Sequence, residues 1–303
     1  MRCKRSLRFL LRWTADTFVR NEHEMRTSFF KRMRIPLIIF LFGLLLGGCG
    51  GSKNDSFGNG QSAAQPSPSA SIASSSPTVN ITTPDGVILV GTFLESAKPN
   101  SPTLLLLHQW QSDRHSYDDF AKRMQVSEGF NVLSIDGRGF GESTKTEDGK
   151  VVSAGRSDSD VKAMLGDVGA AFDFLAKQSS VDPAKIGIVG ASYGSSLALI
   201  YAADNPKVAA VALLSPGLNY FGNMQTEPAI KKYGDRPLFL VAAEDDKESA
   251  DAVRTLIGEA NGPKYSQKVF AAGGHGTGLF RANVGLDLAL KSFFTDRLVP
   301  VHN

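Results

Sequence analysis

Five residues, Gly190-Ala191-Ser192-Tyr193-Gly194, carry the clearest chemical signal in the chain. They follow an apolar run, Lys185-Ile186-Gly187-Ile188-Val189, and precede an apolar helical pattern from Ser195 to Ala203. A serine hydroxyl is a weak nucleophile unless it is exposed and next to a base. A sharp turn between a buried strand and a helix pushes such a side chain out over the end of a sheet. The flanking glycines let strand and helix pass without a Cβ clash. The amide of Tyr193 then points to where negative charge develops during attack on a carbonyl. The spacing therefore makes Ser192 a candidate nucleophile and the Tyr193 N–H a candidate oxyanion donor.

The elements that must position this serine run from residue 79 onward. Val79–Thr83 and Val87–Leu94 flank Pro84-Asp85-Gly86 and read as a β-hairpin. Thr103–Leu107 is a short continuous apolar strand, the type buried on both faces of a parallel sheet. Tyr117–Ser127 reads as a helix and Asn131–Ile135 as a strand. Val161, Leu165, Val168, Phe172 and Leu175 give Ser157–Gln178 a helical spacing. Val208–Leu214, Leu238–Ala242 and Lys268–Ala272 are three further strands, and Ser249–Glu259 and Asn283–Arg297 two further helices. The alternation predicts an α/β fold: a mostly parallel twisted sheet of about eight strands, flanked by helices on both faces. Sites in such sheets lie at the carboxyl ends of strands. The elbow and the loops after Leu107, Val241 and Phe270 should then converge.

This order resembles the α/β-hydrolase superfamily over about residues 79–300, most closely compact esterases and dienelactone-hydrolase-like proteins. The resemblance implies Ser192 as nucleophile and an order of serine, acid, histidine. His275, within Ala271-Ala272-Gly273-Gly274-His275-Gly276-Thr277-Gly278, falls where the family places its base. His108 and His115 come too early, and His23 and His302 lie near the chain's ends. The acid falls in Glu244-Asp245-Asp246 after a strand. Counting three residues from Ala243 selects Asp246, with Asp245 as the alternative if the register slips by one. A second oxyanion donor comes from the loop after the third strand. Many relatives have His-Gly-x there, whereas this chain has His108-Gln109-Trp110. By position the Trp110 amide is the candidate, and its ring could instead line an acyl pocket. Asp136-Gly137-Arg138-Gly139-Phe140-Gly141-Glu142-Ser143 matches a loop common in the superfamily, with Arg138 expected to pair with nearby carbonyls or carboxylates as a structural element. The interval Pro216–Arg236 is long enough for a short lid with Tyr220, Phe221 and Met224, and too short for a cap domain with its own core.

The chain has 303 residues and a formal charge of +3. Residues 1–48 hold 10 basic and 3 acidic residues, so the remainder has 23 basic and 27 acidic residues, a net of −4. Nothing basic is left to indicate nucleic acid as a partner. Lys31-Arg32-Met33-Arg34, the apolar run Ile35–Leu46 and Gly47-Gly48-Cys49 read as a secretory signal. The apolar run is roughly half of the ~20 residues a membrane-spanning helix needs. Leu46-Gly47-Gly48-Cys49 resembles a bacterial lipobox, which implies Cys49 as a lipidated residue, membrane attachment through it, and export to the cell envelope. Residues 1–24 fit no part of such a signal, and Met25 or Met33 reads as a more natural start. Residues 49–78, rich in Ser, Gly, Asn, Gln, Ala and Pro, read as a disordered linker, leaving 79–303 as the folded domain. The two cysteines are Cys3 and Cys49, so this domain has no thiol for a disulfide, nucleophile or metal site. No nucleotide or metal motif is present, and no cofactor is expected. The function expected is a serine carboxylic-ester hydrolase acting on a small ester or acyl substrate. A peptidase or amidase with the same residues, and a surface lipoprotein with the fold but no chemistry, remain as alternatives.

Overall fold

The computed structural model describes residues 77–259, 264–282 and 284–299. The leader, Cys49 and the linker up to residue 76 lie outside the described residues.

In chain order the elements begin β1 (Thr78–Thr82), β2 (Val87–Leu94), β3 (Ser101–Leu107), α1 (Asp118–Glu128), β4 (Asn131–Ile135) and β5 (Lys145–Thr146). They continue α2 (Asp158–Ala176), β6 (Val181–Ala191), α3 (Tyr193–Asp204), β7 (Ala210–Leu214), β8 (Asn219–Tyr220) and β9 (Met224–Gln225). The last are α4 (Thr226–Tyr233), β10 (Leu238–Ala243), α5 (Lys247–Glu259), β11 (Tyr265–Phe270), α6 (Gly278–Arg281) and α7 (Leu286–Leu298). Among the described residues the main sheet has nine strands along the path β1-β2-β4-β3-β6-β7-β10-β11, with β5 paired to β2. β2 pairs antiparallel with β1, β4 and β5, and from β4 to β11 the neighbours run parallel.

Period-two alternation splits each central strand between two cores. Leu105, Leu133, Ile188, Leu213 and Leu240 face α2, α3, α4 and α5. Leu104, Leu106, Val132, Val189 and Val241 face α1 and α7, through Phe120, Met124, Leu290 and Phe294. β4, β7 and β10 are buried along their whole length, as parallel strands covered on both faces must be. Truncating a buried leucine such as Leu105 to alanine would cost about 2–5 kcal/mol.

Two local devices fix the helices nearest the site. Ser157 and Asp160 form a capping box at the start of α2, with Asp160 N–H donating to Ser157 Oγ and Ser157 N–H to Asp160 Oδ2. At the other end of the site helix α3, the Arg236 guanidinium donates to the carbonyls of Ala202 (2.6 Å), Asn205 (3.0 Å) and Val208 (2.9 Å). It also donates to Tyr233 O, the last residue of α4, so one cation serves two helix carboxyl ends. Among the described residues no helix is long and apolar enough to cross a membrane.

Candidate active site

Ser192 stands between β6 and α3 with φ 54° and ψ −123°, a backbone state that costs a non-glycine residue on the order of 1–3 kcal/mol. Its N–H donates to Leu214 O at 2.8 Å, which ties the turn to β7. The turn is possible because the neighbours lack side chains. A Cβ on Gly190 would lie 2.1 Å from Gly194 O, and one on Gly194 would lie 2.6 Å from His108 O. Strand, helix and the loop after β3 therefore touch through backbone. Tyr193 is the first residue of α3, and the first amides of a helix have no partner within it.

The loop after β11 returns to this turn. A Cβ on Gly276 would sit 3.6 Å from the Ala191 Cβ. His275 Nδ1 lies 2.7 Å from Asp246 Oδ2. The carboxylate accepts, so Nδ1 carries the hydrogen, and in the neutral ring Nε2 is the nitrogen that keeps its lone pair. Asp246 follows β10 and is largely shielded, while the His275 ring is about half exposed. Asp245 turns the other way, and its carboxylate accepts the N–H groups of Gly273 and Gly274. Those bonds hold its pKa below the ordinary carboxylate range. Of the two acids the sequence left open, Asp246 is the one beside the imidazole.

The loop after β3 is fixed by a buried histidine. Gly137 N–H donates to His108 Nε2 at 2.9 Å, so His108 Nδ1 bears the hydrogen and donates to Gln109 O at 2.7 Å. Burial pushes the His108 pKa down from 6.5 and keeps the ring neutral. Because the Gln109–Trp110 peptide is trans-planar, holding its carbonyl also sets the opposite direction of the Trp110 N–H. The Gln109 side chain reaches the loop after β11, where its Oε1 accepts from Thr277 N at 2.8 Å.

The Trp110 ring packs edge-on against Phe140 (4.9 Å between centroids), Tyr193 (5.3 Å) and Phe221 (4.7 Å). Phe221 belongs to the turn between β8 and β9, so the interval after β7 folds as a two-stranded flap followed by α4. The Arg156 guanidinium stacks over both Trp110 (4.8 Å) and Phe221 (5.0 Å), joining flap to loop. Tyr220 OH donates to Ser215 O at 3.1 Å. Burial raises its pKa above 10.0, and the nearby hydroxyls of Ser192 and Ser249 oppose that rise. Tyr220 thus sits between the serine and the acid loop. Met224, expected in the lid, is buried.

Arg138 pairs with Asp167 (2.6 Å), which is buried, and with Asp85 (2.7 Å), which is half exposed. Buried Asp136 pairs with Arg114 and accepts the Glu142 N–H at 2.9 Å. These networks brace the loop that carries Gly137, the donor to His108. Among the described residues no group of three or more His, Cys, Asp or Glu side chains is placed to hold a metal ion.

Ser192, Asp246 and His275 thus come to one end of the sheet, with the Tyr193 amide and the Trp110 loop beside them. The sequence reading missed His108 as the holder of the Gln109 carbonyl, and missed the contacts of Gln109, Ser215 and Arg156. Gln109, where the resemblance implies glycine, was a visible sign of them in the sequence.

A family model of the alpha/beta hydrolase fold matches residues 102–243. The uncharacterized protein Rv2307c of Mycobacterium tuberculosis is 28% identical over 255 residues, 78% of this chain and 85% of that protein. The solved structure of the Pyrococcus furiosus esterase Pf2001 aligns with a TM-score of 0.60 at 18% identity, covering 73% of this chain and 92% of that one. Dienelactone hydrolase from Anabaena variabilis aligns with a TM-score of 0.57 at 18% identity, covering 73% and 97%. By its strand order, its strained turn after β6 and the segment matched, this chain has the alpha/beta-hydrolase fold.

Proposed function

We propose that the protein is a serine hydrolase that cleaves small carboxylic esters through an acyl-enzyme. The observation that carries this reading is the His275–Asp246 pair, 2.7 Å apart, on a loop that abuts the turn holding Ser192. Ser192 Oγ attacks the ester carbonyl while His275 Nε2 takes its proton. The carbonyl oxygen becomes an oxyanion facing the Tyr193 and Trp110 amides. Collapse of this intermediate breaks the C–O bond, and the imidazolium gives its proton to the leaving alkoxide. Water then repeats the sequence on the acyl-enzyme and releases the acid. Asp246 holds the imidazole in the required tautomer and stabilises its charged form. No cofactor enters these steps. The short flap leaves the site open, which suits a short or medium acyl chain.

Fluorophosphonate labelling, followed by a panel of p-nitrophenyl esters of increasing chain length, tests this. Labelling at Ser192 and turnover abolished by Ser192→Ala are expected. Full ester hydrolysis by Ser192→Ala would overturn it, and turnover of anilides but not esters would replace the esterase with an amidase. The same proposal places the enzyme outside the cytoplasm, anchored through a lipid on Cys49. A Cys49→Ser chain is expected to lose lipid label and leave the membrane fraction. One that stays membrane-bound and labelled would sink the anchor.

A further inference from the structure

We propose that Gln109 and Ser215 are positioning residues that clamp the His275 loop across the nucleophile's strand. The proposal rests on the serine-hydrolase reading and gives a role to two side chains outside its mechanism.

The need for a clamp follows from the sheet order. His275 comes after β11, whereas the nucleophile follows β6, with β7 and β10 between them. At a strand spacing of ~4.8 Å, the loop must reach back across about 14 Å. The segment that does so contains Gly273, Gly274 and Gly276, which give it few side chains to pack. Its two amides next to the histidine are instead taken by side chains from elsewhere. Gly276 N–H donates to Ser215 Oγ at 2.8 Å, and Thr277 N–H donates to Gln109 Oε1 at 2.8 Å. The Thr277 hydroxyl reaches the same Oε1 at 3.1 Å.

The anchors lie on the two strands that border β6. Gln109 comes just after β3 and Ser215 just after β7. The base's loop is therefore pinned on both sides of Ser192.

Both anchors are themselves held. The Gln109 carbonyl accepts from His108 Nδ1, and the peptide it belongs to supplies the Trp110 N–H. One residue thus ties the second oxyanion donor to the loop of the base. Ser215 donates its N–H to Val241 O at 2.7 Å and accepts Tyr220 OH on its carbonyl. It does this at φ 49°, where glycine would sit with less strain. A hydroxyl kept in a conformation that favours glycine indicates that the hydroxyl is being used. Contact on the other side is equally close. Gly276 has φ 59°, and a Cβ there would lie 2.2 Å from Gln109 Oε1.

The test uses four variants of the full chain. Gln109→Met keeps the length of the side chain and removes the acceptor. It is expected to lower kcat by ~10–100-fold with little change in KM, because the base is displaced rather than the substrate site. Gln109→Glu keeps an acceptor oxygen and is expected to recover most of kcat. Its carboxylate also favours the imidazolium, so the acid limb of the pH profile moves upward. Ser215→Ala loses the hydroxyl and keeps the strain. Ser215→Gly loses both, and is expected to melt no lower than wild type while still losing kcat. A merely structural serine would show activity following stability.

Amide hydrogen exchange supplies a readout that does not depend on turnover. Exchange should quicken at Thr277 in Gln109→Met and at Gly276 in the two Ser215 variants. Unchanged exchange at both amides, or wild-type kcat in both Gln109→Met and Ser215→Gly, would overturn the clamp. Wild-type protein without Ser192-dependent turnover would overturn the reaction instead, with the exchange result still separating the two.

Discussion

Asp245 and Asp246 are adjacent in sequence and hold different parts of one loop. Asp246 Oδ2 meets the His275 ring at 2.7 Å, while the Asp245 carboxylate accepts the amides of Gly273 and Gly274. One orients an imidazole and the other fastens the backbone that carries it, so their substitutions should separate by readout. Asp246→Asn keeps the shape and favours the wrong tautomer, and is expected to lower kcat by about 10⁴-fold. Asp245→Asn should lower kcat far less. Steady-state kinetics on one ester decide between them.

Asp245 also makes a signed prediction about acid. Its folded pKa lies below the ordinary carboxylate value of 3.8, so its contribution to stability is present above 3.8. The contribution is lost as pH falls through the folded value. Melting curves of wild type and Asp245→Asn should therefore differ near neutral pH and converge below pH 3.8. A gap that widened in acid would contradict the assignment.

Arg138 offers a stronger case of the same kind. Hydrogen bonding to Arg138 lowers the Asp85 pKa from 3.8 to about 2. Asp85→Asn is expected to cost about 1 kcal/mol near neutral pH, the half-exposed pair being screened by solvent. That cost should fade as pH drops from 3.8 toward 2. Arg138→Ala should cost ~3–5 kcal/mol, because it leaves buried Asp167 without its counter-charge. Urea unfolding at several pH values measures both.

His108 is expected to matter while staying neutral. His108→Ala leaves Gly137 N–H and Gln109 O without their partner, about 1 kcal/mol for each of these part-buried groups. It also frees the peptide bearing the Trp110 N–H, with an expected loss of about 10²–10³ in kcat. The His108 ring should show no titration near 6.5 by NMR, since burial depresses its pKa.

Gly190→Ala tests the turn. The added methyl would stand 2.1 Å from Gly194 O, a backbone atom that cannot swing aside. A cost of about 3 kcal/mol and loss of fluorophosphonate labelling are expected. A variant that melts and labels like wild type would show that the turn is looser than described.

The strands and the turn were legible because burial on both faces writes apolar runs into the sequence. Val132, Leu133 and Ile135 in β4 are an example, and the apolar spacing of α2 from Val161 to Leu175 was equally visible. The last strand was not. Expected at 268–272, it runs from Tyr265 to Phe270. It lies at the sheet edge, where Ser266, Gln267 and Lys268 face water, so hydropathy drew the reading toward Val269-Phe270-Ala271-Ala272. The turn that carries Ser192 was readable from local spacing alone. Asp245 and Asp246 differ only in the direction each side chain leaves the chain, which composition does not record. Gln109 and Thr277 are 168 residues apart, so their bond has no local signature at all.

Arg236 has a consequence for how the molecule opens. Helices usually fray from their ends, and exchange of their amides with solvent begins there. In α3 the carboxyl end is fastened by a guanidinium and the amino end by the strained serine turn. The helix that begins at Tyr193 therefore has no loose end from which to unravel. Its amides should exchange only when the whole domain unfolds, so this part of the site stays intact until the protein itself is lost.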